Sequence, residues 1–89
     1  MNRRKKPRAR KQLFDKAGLK AFALQLKKVR GEQELSQKQL AFEAGLSLSQ
    51  IARIETAVIN PTLSTIFSLT RALNVPLKSL FDFELPSRK

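Results

Sequence analysis

From Leu19 to Phe81 apolar residues recur every three or four positions, and a helix-stopping residue interrupts them about every ten to fifteen residues. A chain with that rhythm folds into short helices. Leu19, Phe22, Ala23, Leu26 and Val29 mark helix 1, about 16–33, with Lys20, Gln25, Lys27 and Lys28 on its wet side. Ser36 is a good N-cap, because its hydroxyl can accept an orphan N–H of the next turn. Helix 2 then runs over about 37–44, buries Leu40, Ala41 and Ala44, and ends at Gly45, which tolerates a left-handed backbone. Ser47 caps helix 3, about 48–56, with Ile51 and Ile54 inward. Asn60-Pro61 breaks the chain. Thr62 caps helix 4, about 63–73, whose buried stripe is Leu63, Ile66, Leu69, Thr70 and Leu73, and Asn74 closes it. Pro76 starts a fifth, short helix, about 77–82, with Leu77, Leu80 and Phe81 inward.

Strand signals are missing: the chain has three Val and no sustained alternation. The expected fold is therefore all-α, a compact five-helix domain over residues 13–85, with residues 86–89 fraying. A domain this small is marginally stable. Emptying one of its core positions is expected to cost roughly 2–5 kcal/mol.

The charge is uneven. Of 89 residues, 18 are Lys or Arg and 7 are Asp or Glu, a formal net charge of +11. Arg3, Arg4, Lys5, Lys6, Arg8, Arg10 and Lys11 sit in the first eleven positions with no acid among them. Residues 1–12 are too poor in apolar groups to fold alone and read as a flexible basic arm. Such an arm seeks phosphate, since polyanion affinity is largely a matter of counted cations. The alternatives are a solubility or purification appendage, or a localisation signal. A second basic stretch, Lys16, Lys20, Lys27, Lys28 and Arg30, lies within helix 1.

Composition removes most other functions. Without Cys or His there is no disulfide scaffold, zinc finger, thiol nucleophile or imidazole base. Trp and Tyr are absent, so base stacking would fall to the six Phe. No metal-ligand cluster, Gly-rich phosphate loop or nucleophile–base pair is visible, which argues against an enzyme, and no cofactor is expected. No apolar run approaches the roughly 20 residues that span a membrane, and the N-terminus lacks the apolar stretch of a secretory signal. A cytoplasmic protein with an anionic partner is the expectation.

Ser36 to Glu55 is the informative part: two short helices joined by a turn with one glycine. That is the helix-turn-helix pattern, whose second helix is offered to a DNA major groove. On helix 3, Leu48, Ser49, Ala52 and Arg53 share the outward side and Ile51 and Ile54 the inward side. Arg53 is the one outward side chain able to grip guanine O6 and N7 together, and Leu48 suits a thymine methyl.

The sequence resembles the phage-repressor-like (lambda-repressor-like, Cro/XRE-type) helix-turn-helix regulators of bacteria and phages. The resemblance covers Phe22 to about Phe81. It rests on Val29-Arg30, Leu35-Ser36-Gln37, Leu40-Ala41, Ala44-Gly45-Leu46-Ser47, Ile51, Ile54-Glu55, Asn60-Pro61-Thr62-Leu63, Thr65-Ile66, Ala72-Leu73-Asn74-Val75 and Leu80-Phe81. It implies that Gln37 reaches a backbone phosphate from the start of helix 2. It also implies that Ser47, Leu48, Ser49, Gln50, Ala52 and Arg53 form the exposed face of the recognition helix. Ser47 and Gln50 are read as phosphate contacts at its start; the alternative for Gln50, which points sideways, is that it touches nothing. Asn60 and Thr62 match a loop that touches phosphate beyond helix 3. Arg30 and Glu55 match a partly buried salt bridge between helix 1 and the end of helix 3. The family frequently has Gly where this chain has Glu34 and Ala57, so those two turns are expected to differ in shape.

The function implied is a sequence-specific regulator of transcription on double-stranded DNA, a repressor or controller. The competing readings are an antitoxin-type module that binds a small protein partner, and a basic RNA-binding or structural protein. A homodimer is expected, because one recognition helix reads only a few base pairs. Phe83 and Leu85 lie beyond helix 5 and are the candidate dimer contact, unless they fold back onto helix 1 or helix 4 of their own chain.

Overall fold

A computed structural model describes residues 13–87. Four α-helices follow in order: α1 Lys16–Glu32, α2 Gln37–Ala44, α3 Leu48–Glu55 and α4 Leu63–Leu73. The fifth helix expected over about 77–82 is instead a 3-10 turn at Leu77–Phe81. Five residues between Pro76 and Asp82 do not complete a second α-turn, and no side chain caps their start. The helix count is thus four, and among the described residues there is no strand.

Each α-helix begins and ends by local chemistry. Asp15, Ser36, Ser47 and Thr62 accept the N–H groups of Gly18, Gln39, Gln50 and Thr65. Gln39 and Gln50 return the bond: their Oε1 atoms accept from the backbone N–H of Ser36 (2.7 Å) and Ser47 (3.0 Å). Both helices of the helix-turn-helix therefore open with a reciprocal capping box.

The four helix ends share one device. Glu34, Gly45, Ala57 and Asn74 all have positive φ, between 58° and 72°. Their N–H groups bond the carbonyls of Gly31, Phe42, Ile54 and Arg71. The next residues, Leu35, Leu46, Val58 and Val75, reach back to Arg30, Ala41, Arg53 and Thr70. These are Schellman closures, which satisfy carbonyls that the helix itself leaves free. The turns at Glu34 and Ala57 keep the left-handed shape that glycine would take, contrary to the expectation that they would differ.

The core runs through Leu26, Leu40, Ile51, Ile54, Leu69, Leu73 and Leu80, all essentially inaccessible. α2 packs against α3 and α4, α1 packs against α3 and the 3-10 turn, and α4 also meets that turn. Leu35, Leu46, Ile59, Val75 and Phe83 close the edges of the core. Three expected core positions are not buried: Leu63 is 67%, Leu77 42% and Phe81 46% exposed. Leu63 opens α4 before that helix reaches its neighbours, and the Phe81 ring lies on Phe22 at the rim, centroids 5.7 Å apart. Gln25, expected on the wet side, donates from Nε2 to the Ser79 carbonyl at 2.7 Å and pins the 3-10 turn to α1. Among the described residues no helix is long and apolar enough to cross a membrane.

Candidate nucleic-acid interface

The turn from α2 to α3 is Gly45-Leu46-Ser47. Gly45 takes a φ of 72°, Leu46 dips against the core, and Ser47 caps α3. Ser68 on α4 donates to the Ala44 carbonyl and steadies the end of α2 from behind.

α3 is sharply two-faced. Ile51 and Ile54 are buried against the core, as is Glu55. Leu48, Ser49, Gln50 and Arg53 are exposed and Ala52 is half-buried. Leu48, Ser49, Ala52 and Arg53 thus form one ridge of a guanidinium, a hydroxyl and two apolar groups, placed outward because the opposite side is consumed by packing. The Ser47 hydroxyl and the Gln50 carboxamide oxygen are engaged in the cap. The Gln50 amide nitrogen remains at the exposed start of the helix.

Behind the ridge lies a polar cluster. Arg30 Nε donates to Glu55 Oε2 at 2.6 Å, and Arg30 Nη2 donates to Glu55 Oε1 at 2.9 Å. Arg30 Nη1 donates to the Leu35 carbonyl at 2.9 Å. Gln37, the first residue of α2, donates from Nε2 to Glu55 Oε1, also at 2.9 Å. The Glu55 side chain is 1% exposed and that of Arg30 18%. The hydrogen bond to Glu55 raises the Arg30 pKa above its ordinary value; burial opposes this, and the charge of Glu55 adds to it. The end of α1, the start of α2 and the end of α3 are joined here by one fork-shaped ion pair.

Asn60 and Thr62 are exposed in the loop after α3, and Thr62 also caps α4. Lys16 Nζ donates to the Ala57 carbonyl at 2.9 Å and ties that loop to the start of α1. A depression of about 350 Å³ adjoins the same loop, with Asn60, Pro61, Leu13, Leu63, Phe81 and Leu85 in its wall. Phe83 lines it too and packs partly on its own core, whereas Leu85 is 70% exposed. Arg3, Arg4, Lys5, Lys6, Arg8 and Arg10 lie outside the described residues. The capping partners Gln39 and Gln50 carry a sequence signal, Ser-x-x-Gln, whereas the bond of Lys16 to a carbonyl 41 positions away leaves no trace in sequence.

Comparison with known proteins agrees with this architecture. A helix-turn-helix family model, HTH_3, matches residues 26–80. Over 59 residues the chain is 39% identical to the immunity repressor protein of Bacillus phage phi105, a match covering 66% of this chain and 41% of that protein. The chain thus spans about two fifths of the repressor's length. The restriction-modification controller protein C.AhdI from Aeromonas hydrophila superposes with a TM-score of 0.69 at 35% identity, over 71% of this chain and 96% of the controller. An HTH_3 family transcriptional regulator from Vibrio cholerae gives a TM-score of 0.72 at 27% identity, over 75% of this chain and 38% of that one. The four capped helices, the Gly45 turn and the family match over residues 26–80 lead to one statement: the chain belongs to the HTH_3 helix-turn-helix family, the Cro/XRE-type group of regulators.

Proposed function

We propose that the protein is a sequence-specific regulator that binds double-stranded DNA with α3 in the major groove and acts as a homodimeric repressor or controller. The observation that carries this reading is the exposed ridge of Leu48, Ser49, Ala52 and Arg53, held rigidly by the buried Ile51 and Ile54. In this reading Arg53 grips a guanine edge and Leu48 meets a thymine methyl. Gln37, Ser47, Gln50, Asn60 and Thr62 contact phosphates on either side, and the cations of residues 1–11 add sequence-independent attraction. The names of its relatives, a repressor and a controller, favour control of transcription over a structural role. Selection of bound sequences from a random duplex pool tests the proposal. Enrichment of a defined site supports it; uniform affinity for any duplex or RNA rejects it. On the selected site Arg53→Ala is expected to cost about 1–3 kcal/mol and to relax preference at one base position. Equal loss on scrambled duplex would make Arg53 a phosphate contact instead.

A further inference from the structure

Glu55 is the one buried charged residue among those described, and its ion pair does not use up its bonds. Three donors converge on its two oxygens: Arg30 Nε, Arg30 Nη2 and Gln37 Nε2. A carboxylate only accepts, so the end of the Gln37 carboxamide that faces Glu55 is the NH2 group. That group carries two N–H bonds. One is committed to Glu55 at 2.9 Å, and the other has no partner among the described residues. Gln37 is half-buried at the first position of α2, where the proposed function places a backbone phosphate.

We propose that Glu55 is a positioning residue for DNA binding: it holds the Gln37 carboxamide by one N–H so that the second is presented to a phosphate before DNA arrives. This rests on the reading that Gln37 meets phosphate. A free glutamine loses rotamer freedom when it docks; a tethered one has lost it on folding, so less is lost at the interface. The bond to an ionised acceptor is stronger than one between neutral groups, so it holds the carboxamide in one orientation. The negative charge needed for this does not repel DNA at range, because Arg30 neutralises it at contact distance.

The test is a cycle measured as Kd for the selected duplex at fixed salt. Replacing Arg30→Met and Glu55→Met together removes the tether, leaves net charge unchanged and avoids an unpaired buried ion. This pair is crossed with Gln37→Ala. The expected result is a roughly three- to tenfold weakening by the Met pair when residue 37 is Gln, and less than about twofold when it is Ala. If Gln37→Ala alone leaves Kd unchanged, the phosphate role of Gln37 fails and the inference with it. If Gln37→Ala weakens binding but the Met pair acts equally in both backgrounds, or not at all, only the positioning role fails. A second measurement needs no change at residue 30 or 55. The Gln37 side-chain amide protons, identified in nitrogen-edited NMR spectra by their loss in Gln37→Ala, are expected to be held and slow to exchange in the free protein. Duplex should then shift one of them and leave the other in place. Averaged, fast-exchanging protons in the free protein, or equal movement of both on binding, overturn the proposal even if the Met pair does not fold.

Discussion

Glu34 holds a backbone angle that an L-residue adopts reluctantly, with φ at 58° on an exposed turn. The left-handed conformation costs about 1–2 kcal/mol for a residue with a Cβ. Glycine removes that cost but adds unfolded-state freedom of about 0.4–1 kcal/mol. Glu34→Gly is therefore expected to stabilise the fold by up to about 1 kcal/mol, seen in thermal melts as a rise of several degrees. Ala57 shares the conformation but its methyl is 2% exposed, so Ala57→Gly trades strain against about 0.8 kcal/mol of lost burial and should change little. An unchanged or lower melting point for Glu34→Gly would show that the turn carries no such strain. Arg30 and Glu55 behave differently, because removing one leaves the other buried without its counter-charge. Arg30→Ala or Glu55→Ala should cost about 3–5 kcal/mol, against less than about 1 kcal/mol for an exposed pair. A double-mutant cycle in denaturant measures the coupling, and additivity within about 0.5 kcal/mol would contradict it.

Among the elements, α2 and α4 have the bounds that sequence suggests, and α1 and α3 end one residue earlier. Their start and stop signals are local: a hydroxyl three residues before an amide opens a helix, and one left-handed residue after the last turn closes it. The 3-10 turn was not legible as such: apolar spacing over five residues does not tell it from an α-turn, and the bond that pins it, from Gln25 to the Ser79 carbonyl, comes from another element. The exposure of Leu63 and Leu77 was hidden for the same reason. Periodicity names the side of a helix but not whether a neighbour covers it. The ridge of α3 was readable from spacing alone, since Ile51 and Ile54 fix its opposite side. The bond from Gln37 to Glu55 spans 18 positions and needed coordinates. The basic arm makes its own prediction at this scale. Deleting residues 1–11 removes seven cations and should weaken binding to every duplex. If about three of them meet phosphate, the log–log dependence of affinity on salt should flatten by about 2.7, near 0.9 per contact. A slope that does not change on truncation would reduce the arm to an appendage.

At the scale of the whole molecule, the depression beside the Asn60 loop bears on assembly. Leu13, Leu63 and Leu85 are each more than 65% exposed around it, and Phe81 is 46% exposed. An exposed apolar cluster of that kind is a frequent mark of an interface, and a two-fold contact would use the same patch on both copies. Phe83 folds partly onto its own core, which leaves Leu85 as the member of the expected pair free to meet a partner. The patch shares Asn60 and Pro61 with the loop that follows α3, so a second copy seated there would lie alongside the DNA-facing side of the first. Two recognition helices must meet successive major grooves about 34 Å apart, so a dimer is expected to read two half-sites at that spacing. The unaltered protein should therefore sediment as a dimer at tens of micromolar and select a site with two half-sites. Leu63→Ser with Leu85→Ser removes exposed apolar groups and leaves the core intact, so this variant should fold, sediment as a monomer and lose affinity for the two-part site. A monomer in both proteins, with selection of a single half-site, would reject the dimer and leave the depression to another partner.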